Sequence, residues 1–224
     1  MKTCSATINI VDSDPEVRHS LQRVLDSDTR RTIAYATGEE FLADFIPEHP
    51  SCLILDLYLP GMSGQDILQR LRTENVEIPT IVIAAHVDVA TALRAIRLGA
   101  VDVCPKPVDP NALLPLVDRA LAFDAARARQ RQQLSDARKR LARLTPRERQ
   151  LFELVVEGQS YKEMAATLGI STRTVEHHRA HITSKLGMDR LPDMVRLGLV
   201  ADDGERGFGI AAVEIPHLAL QATR

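Results

Sequence analysis

The sequence predicts a doubly wound, five-stranded parallel α/β sheet followed by an all-α helix-turn-helix domain, with a long linker helix between them. Three observations lead to this prediction. Five short apolar runs alternate with amphipathic helical segments in the first half, as in parallel sheets that helices cover on both faces. Residues 124–143 contain neither Gly nor Pro. Four short helices with marked ends follow, and a length of 224 residues suits one or two domains.

The five predicted strands are four or five residues long and rich in Ile, Val or Leu, which is typical of strands buried on both faces. They are Thr7–Val11, Thr32–Ala36, Cys52–Leu55, Thr80–Ala84 and Val101–Cys104. Helix signals separate them. Asp14 is an N-cap and Pro15 is the first residue of its helix. Another helix opens at Ser63, a third ends at Gly99, and the last begins after Asp109.

The linker helix is predicted over residues 124–143, because the Ala, Arg and Gln residues of this stretch are strong helix formers. Four apolar residues follow an a/d heptad spacing, but for fewer than two heptads. They are Leu134, Ala137, Leu141 and Leu144. A solvated linker helix and a dimer-forming coiled coil both fit this pattern.

The helices of the second domain are predicted from their caps. The first three begin after Thr145, Ser160 and Ser171 and end at Gly158, Gly169 and Gly187. Thr145 and Ser160 each open a capping box, with a Glu three residues later. The fourth helix spans roughly Leu191–Val200. A helix of about eight residues, a turn containing Gly169 and a longer helix form a helix-turn-helix pattern.

The formal net charge of −2 conceals an asymmetry between the two halves. Residues 1–124 contain 11 Lys and Arg against 18 Asp and Glu, whereas residues 125–200 contain 15 against 8. An acidic domain joined to a basic one indicates different partners, and a basic surface suits a polyanion. Together with the helix-turn-helix pattern, this charge predicts that the second domain binds duplex DNA.

The composition excludes several classes of protein. Charged residues make up 26% and hydrophobic residues 45%, which is ordinary for a globular chain. No apolar run reaches the roughly 18 residues that cross a bilayer, and Thr7–Val11 is too short for a signal-peptide core. Cys4, Cys52 and Cys104 have neither a disulfide pattern nor zinc-ligand spacing. We therefore predict a cytoplasmic protein that does not contact membranes.

Three charged side chains follow predicted strands at one edge of the sheet. Asp12 follows the first strand, Asp56 the third, and Lys106 lies just past the fifth. Because the carboxyl ends of parallel strands share an edge, these groups are expected to converge. Carboxylates suit Mg²⁺, and that ion together with a lysine neutralises a phosphoryl group, which Asp56 can carry as an acyl phosphate. In the alternative interpretation, Asp12 and Asp56 only cap the turns that follow them.

The segments around these residues resemble a known family. Residues 6–123 resemble a response-regulator receiver domain and residues 144–200 resemble the LuxR-type DNA-binding domain, so the chain is similar to FixJ-like response regulators. The segments that carry the resemblance are Ile10–Arg18, Leu55–Gly64, Gly99–Pro107, Leu144–Arg149, Ile170–His178 and Lys185–Gly187. A C-terminal tail, residues 201–224, lies outside the resemblance and is assigned no role.

The resemblance implies roles for the three charged residues. Asp56 is implied to be the phosphoacceptor, Asp12 to help hold Mg²⁺, and Lys106 to contact the phosphoryl group. The implied partners are a sensor histidine kinase, duplex DNA, RNA polymerase and a second copy of the chain on DNA. We therefore predict a transcription regulator of a two-component system rather than an enzyme, in which phosphorylation of Asp56 controls promoter binding.

The receiver departs from the family pattern at three positions. Ser13 stands where the family has a second metal-binding acid, although Asp14 beside it can partly substitute. Ala84 replaces a hydroxyl residue at the end of the fourth strand, and Val103 replaces an aromatic residue in the fifth. A hydrogen bond to a charged group is worth about 1.5–3 kcal/mol. We therefore expect weakened Mg²⁺ binding and a weakened response to phosphorylation.

Two alternative functions are open at this point. In the first, the chain is an atypical regulator whose receiver works without phosphorylation, as a dimerisation or partner-binding domain. More remotely, Asp12-Ser-Asp14 after an apolar strand resembles the start of haloacid-dehalogenase-type phosphatases. That pattern needs Thr or Val where Glu16 stands, and a late pair of acids where only Asp109 follows Lys106.

The third helix of the second domain carries the predicted DNA-reading face. Its expected inward residues are Val175, His178, Ile182 and Leu186, and its opposite face presents Arg173, Glu176, His177, Ala180 and Ser184. Glu176 suits cytosine and Ala180 a thymine methyl group. The predicted DNA-binding residues are Lys162, Thr172, Arg173, Thr174, Glu176, His177, Arg179, Ala180 and Lys185. Five of them are predicted to contact phosphates, namely Lys162, Thr172, Arg173, Arg179 and Lys185.

The fourth helix of the second domain is the predicted dimer contact. The residues assigned to it are Leu191, Met194, Val195 and Gly198. A two-fold dimer requires DNA half-sites about one helical turn apart. The receiver face around Val89–Leu98 and Val101–Cys104, or the linker helix, offers a second contact between the two copies.

Overall fold

The computed structural model describes residues 6–188 and 190–203. The chain divides into two compact units, Met1–Arg129 and Gln130–Arg224, and each is described by itself. The predicted tail lies outside the described residues from position 204 onward.

The first unit is built on a five-stranded sheet in which every neighbouring pair of strands is parallel. The strands are β1 Ala6–Val11, β2 Arg30–Tyr35, β3 Ser51–Asp56, β4 Thr80–Ala84 and β5 Ala100–Pro105. Their order across the sheet is β2-β1-β3-β4-β5. The predicted doubly wound parallel sheet is therefore confirmed, and the strand order reverses beside β1 and β3.

Five helices connect or follow these strands. They are α1 Pro15–Leu25, α2 Gly38–Asp44, α3 Gly64–Thr73, α4 Val89–Arg97 and α5 Pro110–Leu141. Asp14 caps α1 as predicted, because its carboxylate accepts a hydrogen bond from the Glu16 backbone. The sequence interpretation did not locate α2, whose N-cap Thr37 accepts from the Glu40 backbone.

Two apolar layers enclose the sheet, because successive residues of each strand point to opposite faces. On β3, Leu53 and Leu55 belong to one layer, whereas Cys52 and Ile54 belong to the other. Burial raises the pKa of the Cys52 thiol to about 12 and also raises the pKa of Cys104. Both cysteines are small buried side chains without a disulfide partner among the described residues.

The predicted linker helix lies in the second half of α5. Residues 124–129 belong to the first unit, where the buried Asp124 carboxylate accepts a hydrogen bond from the Ser51 backbone at 2.8 Å. In the second unit, Ala137, Leu141 and Leu144 are buried in the core of that unit. These three heptad positions contact their own chain, so they are not available as the face of a dimer-forming coiled coil.

The second unit adds four helices to the end of α5. They are α6 Pro146–Val156, α7 Tyr161–Leu168, α8 Thr172–Leu186 and α9 Leu191–Asp203. Capping boxes open α6 and α7 as predicted. Gly169 and Gly187 end α7 and α8 with φ values of 65° and 63°, a left-handed conformation that glycine adopts without steric cost. The predicted all-α helix-turn-helix domain is therefore confirmed.

No helix in the described part of the chain is long and apolar enough to span a bilayer.

Candidate functional site

The carboxyl edge of the sheet brings Asp12, Asp56 and Lys106 together. The Lys106 ammonium lies 2.6 Å from Asp12 Oδ2 and 2.7 Å from Asp56 Oδ2. Asp12 is fully buried and Asp56 is nearly so. One cation therefore bridges two carboxylates beside the point where the strand order reverses, the place at which such sheets bind ligands.

Backbone groups orient both carboxylates. Asp12 Oδ1 accepts a hydrogen bond from the Asp14 backbone at 2.9 Å, and Asp56 Oδ1 accepts one from the Tyr58 backbone at 3.0 Å. Each side chain thus has one oxygen on the backbone and the other toward Lys106. The interpretation of Asp12 and Asp56 as turn caps accounts for their backbone contacts but not for their contacts with Lys106.

Gly64 brings the start of α3 against the end of β3. A Cβ atom at this position would lie 2.3 Å from the Asp56 carbonyl oxygen and 2.9 Å from the Leu57 Cα atom. Since the atoms in the way belong to the backbone, any larger residue would displace the strand end that carries Asp56. Glycine here is therefore part of what positions the candidate phosphoacceptor.

The charge state of Lys106 follows from two opposing effects. Burial lowers the pKa of its ammonium group, but hydrogen bonds from that group to Asp12 and Asp56, together with their negative charges, outweigh the burial. The net result is a raised pKa, so Lys106 is a cation at neutral pH. A permanent cation at this edge is suited to binding a phosphoryl group.

The same edge fits Mg²⁺ with a small ligand set. Mg²⁺ is commonly bound through one or two carboxylates with several waters, which Asp12 and Asp56 satisfy. Asp14 is exposed and its Oδ1 is used in the cap of α1, while Ser13 offers no carboxylate. Within residues 6–188 and 190–203, no three His, Cys, Asp or Glu side chains are grouped as a metal cluster.

Ala84 and Val103, the other two departures from the family pattern, lie on β4 and β5. Ala84 is buried at the end of β4, and its backbone carbonyl accepts a hydrogen bond from the Lys106 backbone at 2.8 Å. Its methyl side chain offers no donor to a phosphoryl oxygen. Val103 is half-buried on β5 and has no ring to rotate between two environments.

Helix α8 in the second unit presents most of the predicted DNA-reading face to solvent. The buried residues are Val175, Ile182 and Leu186, and His178 is half-buried. The exposed residues are Thr172, Arg173, Glu176, His177, Ala180, His181, Ser184 and Lys185, and Lys162 is exposed on α7. Thr174 is half-buried in the cap, where its backbone donates to Ser171 Oγ.

Lys185 has a partner that the sequence interpretation did not anticipate. Its ammonium lies 2.6 Å from Glu148 Oε2, and that carboxylate also accepts from the backbone and hydroxyl of Thr145. The hydrogen bond from Lys185, followed by the one from the Thr145 backbone, lowers the pKa of the buried Glu148 to about 2. Lys185 is a predicted phosphate contact, and in the structure its ammonium also joins α8 to α6.

Arg179 is engaged in a similar way. Its guanidinium donates to the Tyr161 hydroxyl and lies 5.1 Å from the centroid of the Tyr161 ring. This contact joins α7 to α8, the two helices of the helix-turn-helix. Of the five residues predicted to contact DNA phosphates, Lys162, Thr172 and Arg173 are exposed and, within the described part of the chain, make no side-chain contact of this kind to a neighbouring helix.

His181 is a surface residue that the sequence interpretation missed. Its side chain is 52% exposed, and its ring centroid lies 4.3 Å from that of His177. The available signal was the spacing of four residues, since positions i and i+4 lie on one face of a helix. The predicted reading face therefore carries two neighbouring imidazoles.

The predicted dimer face of α9 requires correction. Met194 is buried in the core of the unit, and a Cβ atom on Gly198 would lie 2.6 Å from Val156 Cγ2. Gly198 therefore faces α6, and Met194, four residues earlier, lies on the same side of α9 and inside the core. The exposed apolar residues of this helix are Leu191 and Leu199, with the half-buried Val195 between them.

Comparisons with known proteins agree with both units. Residues 8–118 match the response regulator receiver domain family, and residues 142–197 match the luxR family of bacterial regulatory proteins. The transcriptional regulatory protein FixJ of Azorhizobium caulinodans is 36% identical over 197 residues, which cover 88% of this chain and 93% of that protein. The chain belongs to the FixJ-like response regulators. FixJ of Rhizobium meliloti is 37% identical, over 91% of this chain and 97% of its own.

Solved structures support the same family. The response regulator StyR has a TM-score of 0.78 at 33% identity and covers 87% of this chain and 98% of its own. Full-length FixJ from B. japonicum has a TM-score of 0.55 at 31% identity, over 89% of this chain and 98% of its own. This FixJ-like regulator is thus a two-component transcription regulator, and the phosphatase interpretation of Asp12-Ser-Asp14 has no support in the matched families.

Proposed function

We propose that Asp56 accepts a phosphoryl group from a sensor histidine kinase and that this modification modulates promoter binding by the second unit. The observation that carries the proposal is the Lys106 ammonium between the Asp12 and Asp56 carboxylates. In the reaction, an oxygen of Asp56 attacks phosphorus, an acyl phosphate bond forms, and the bond between phosphorus and the histidine nitrogen of the kinase breaks. Lys106 then neutralises charge on the phosphoryl oxygens.

Asp12 and Asp56 are the residues that would hold Mg²⁺. When bound, the ion neutralises phosphoryl oxygens beside the lysine. Asp12 is oriented by the Asp14 backbone for this role. With Ser13 in place of a second acid, the site has one carboxylate fewer than the family pattern, and its Mg²⁺ affinity is correspondingly lower.

We propose that phosphorylation of Asp56 changes the affinity for DNA only weakly. A modification shifts a conformational equilibrium only by the difference between its contacts in the two states. Ala84 and Val103 remove a hydrogen bond and a ring from those contacts. Some DNA binding therefore persists without phosphate. The second candidate function is a receiver that works chiefly through contacts with a partner or a second copy.

The exposed face of α8 is the proposed major-groove surface. Glu176, His177 and Ala180 are the proposed base readers, and Arg173 reaches both bases and phosphates. Lys162 and Thr172 are proposed phosphate contacts. A protein that receives a phosphoryl group from a kinase, binds a promoter and engages RNA polymerase works in the cytoplasm of a bacterium.

A homodimer on DNA is proposed to use the apolar stripe of α9, formed by the exposed Leu191 and Leu199 and the half-buried Val195 between them. These residues are four apart and lie on one side of the helix. In the first unit, the exposed residues Val89, Leu93 and Ile96 are spaced by four and three positions on α4 and so lie on one side of that helix. They offer a second contact between copies.

Intact mass measurement after incubation with Mg²⁺ and acetyl phosphate tests the phosphoryl proposal. The wild-type chain is expected to gain one phosphoryl group, and Asp56→Asn is expected to gain none. An unmodified wild-type chain under this and other small phosphodonors would refute the proposal and favour the second candidate function.

A further inference from the structure

The second unit contains a pair of imidazoles on an exposed helical face. His177 and His181 are one helical turn apart on α8, their ring centroids are 4.3 Å apart, and their planes are inclined by 56°. Both residues are exposed. Two histidines at positions i and i+4 of a helix are a known arrangement for holding one metal ion between two ring nitrogens.

A buried carboxylate adjoins one of these rings. Glu148 Oε1 lies 4.0 Å from His181 Nδ1, while the other oxygen of Glu148 is occupied by Thr145 and Lys185. Metal-ligating histidines usually direct their second ring nitrogen to a carboxylate or carbonyl, which orients the ring and leaves the first nitrogen for the ion. Here Nδ1 of His181 faces the carboxylate, so Nε2 is the nitrogen left for a ligand.

We infer that His177 and His181 form a binding site for one divalent first-row transition metal ion, with Zn²⁺ as the reference ion. Imidazole nitrogens suit Zn²⁺, Ni²⁺ and Cu²⁺, whereas Mg²⁺ prefers oxygen ligands. With two protein ligands, the remaining coordination positions of the ion are left to water. Glu148, whose Oε1 lies 4.0 Å from His181 Nδ1, stays outside the first ligand sphere and supplies a negative charge beside the site.

Occupation of this site has a consequence that rests on the proposed role of α8 in DNA binding. Both imidazoles stand on the face that the proposal directs into the major groove, and His177 is a proposed base reader. A hydrated ion on these rings occupies the space that base edges need. Metal binding and DNA binding are therefore competitive, and each ligand lowers the affinity for the other by the same factor.

Zn²⁺ titration of the full-length chain by calorimetry tests the site directly. His177→Gln and His181→Gln are each expected to weaken one Zn²⁺ site about tenfold or more, since supporting groups of metal sites are already worth about 10–100-fold. His178→Gln is the matched control, because its ring is 6.4 Å from that of His177 and half-buried. Equal titrations of all four proteins would overturn the inference.

Histidine ring spectra of the wild-type chain give an independent measurement that needs no variant. Zn²⁺ is expected to shift the ring signals of His177 and His181 but not those of His178, and Mg²⁺ is expected to shift none of the three. Signals of His177 and His181 that do not respond to Zn²⁺ would also overturn the inference.

The competition is tested with a pool of random-sequence duplexes at low salt. Zn²⁺ is expected to weaken DNA binding of the wild-type chain and to leave that of His181→Gln at its own metal-free value. Zn²⁺ bound by the pair with no change in DNA affinity would refute the competition and uphold the site. A chain that binds Zn²⁺ but no duplex, with or without metal, would refute the proposed DNA role of α8 instead.

Discussion

The Lys185 ammonium lies 2.6 Å from the buried carboxylate of Glu148, 37 positions earlier in the chain. Glu148 closes the capping box of α6, and Lys185 belongs to the last turn of α8. A single carboxylate therefore completes the start of one helix and holds the end of another. This contact ties the end of α8, the helix proposed to read DNA, to the start of α6.

Lys185→Ala is predicted to destabilise the second unit by about 1–3 kcal/mol, because it leaves a buried carboxylate short of a hydrogen bond. Hydrogen exchange of backbone amides in α6 and α8 measures this loss. Lys162→Ala is the control, since Lys162 is exposed on α7 and surface substitutions usually change stability by less than about 0.5 kcal/mol. Equal exchange in the two variants would contradict the structural role of Lys185.

The stability of the second unit is predicted to decrease between pH 4.5 and 2. Folding lowers the pKa of Glu148 from 4.5 to about 2. A depressed folded-state pKa means that the contribution of this group is complete above the unfolded pKa and is lost as the pH falls toward the folded value. Glu148→Gln is expected to flatten this part of the pH profile of hydrogen exchange, whereas Glu157→Gln, at the exposed C-cap of α6, is expected to retain the wild-type slope. A wild-type slope in both variants would show that other groups carry the dependence.

Ser13→Asp is predicted to raise the affinity for Mg²⁺ about tenfold, which corresponds to about 1.4 kcal/mol. The substitution restores a carboxylate next to Asp12, at an exposed position where the larger side chain has room. Calorimetric titration with Mg²⁺ measures the change. Ser20→Asp, at an exposed position of α1, adds the same charge away from the site and is expected to leave the affinity near the wild-type value. An equal gain in both variants would mean that net charge alone is responsible.

Glu176→Ala is predicted to change which DNA sequences are preferred, at about 1–3 kcal/mol for a lost base contact. Lys162→Ala is predicted to weaken all sequences nearly equally and to reduce the dependence of affinity on salt, as expected for a phosphate contact. Selection from a random duplex library, repeated at two salt concentrations, separates the two effects. Unaltered sequence preference in Glu176→Ala would show that this face of α8 does not read bases.

Leu199→Glu is predicted to abolish cooperative binding to paired half-sites, because it places a charge on the apolar stripe of α9. Arg196→Ala, at an exposed position beside the stripe, is expected to retain cooperativity. Band-shift titrations on one and two half-sites measure the difference. In the wild type, displacing one half-site by five base pairs, about half a helical turn, is also expected to abolish cooperative binding. Unchanged cooperativity in either experiment would rule out this dimer.

The elements of both units are largely predictable because their signals are local. The apolar runs identify all five strands to within two residues at either end, and the capping residues Thr145, Ser160 and Ser171 identify three helix starts. Helix α2 was not located, since its N-cap Thr37 is followed at once by a glycine and its helix has only seven residues. A short helix with a weak start signal does not stand out from a loop.

The contacts between elements are the part that the sequence does not reveal. Helical periodicity groups Met194 with Gly198, but it does not say that this side of α9 faces α6 rather than a second chain. The pairing of Glu148 with Lys185 and that of Arg179 with Tyr161 join helices that are separate in the sequence. A lysine or arginine near a recognition helix looks the same in the sequence whether it binds phosphate or a neighbouring helix.

The burial of Cys52 has a practical consequence for measuring the receiver. Its thiol is fully buried on β3, four residues before Asp56, and its pKa of about 12 leaves almost no reactive thiolate at neutral pH. A thiol reagent therefore reaches Cys52 only when the sheet opens. In a folded Cys4→Ser variant, with labelling of Cys104 followed separately by mass, the labelling rate of Cys52 reports how often the receiver opens. The rate can be compared with and without a phosphodonor.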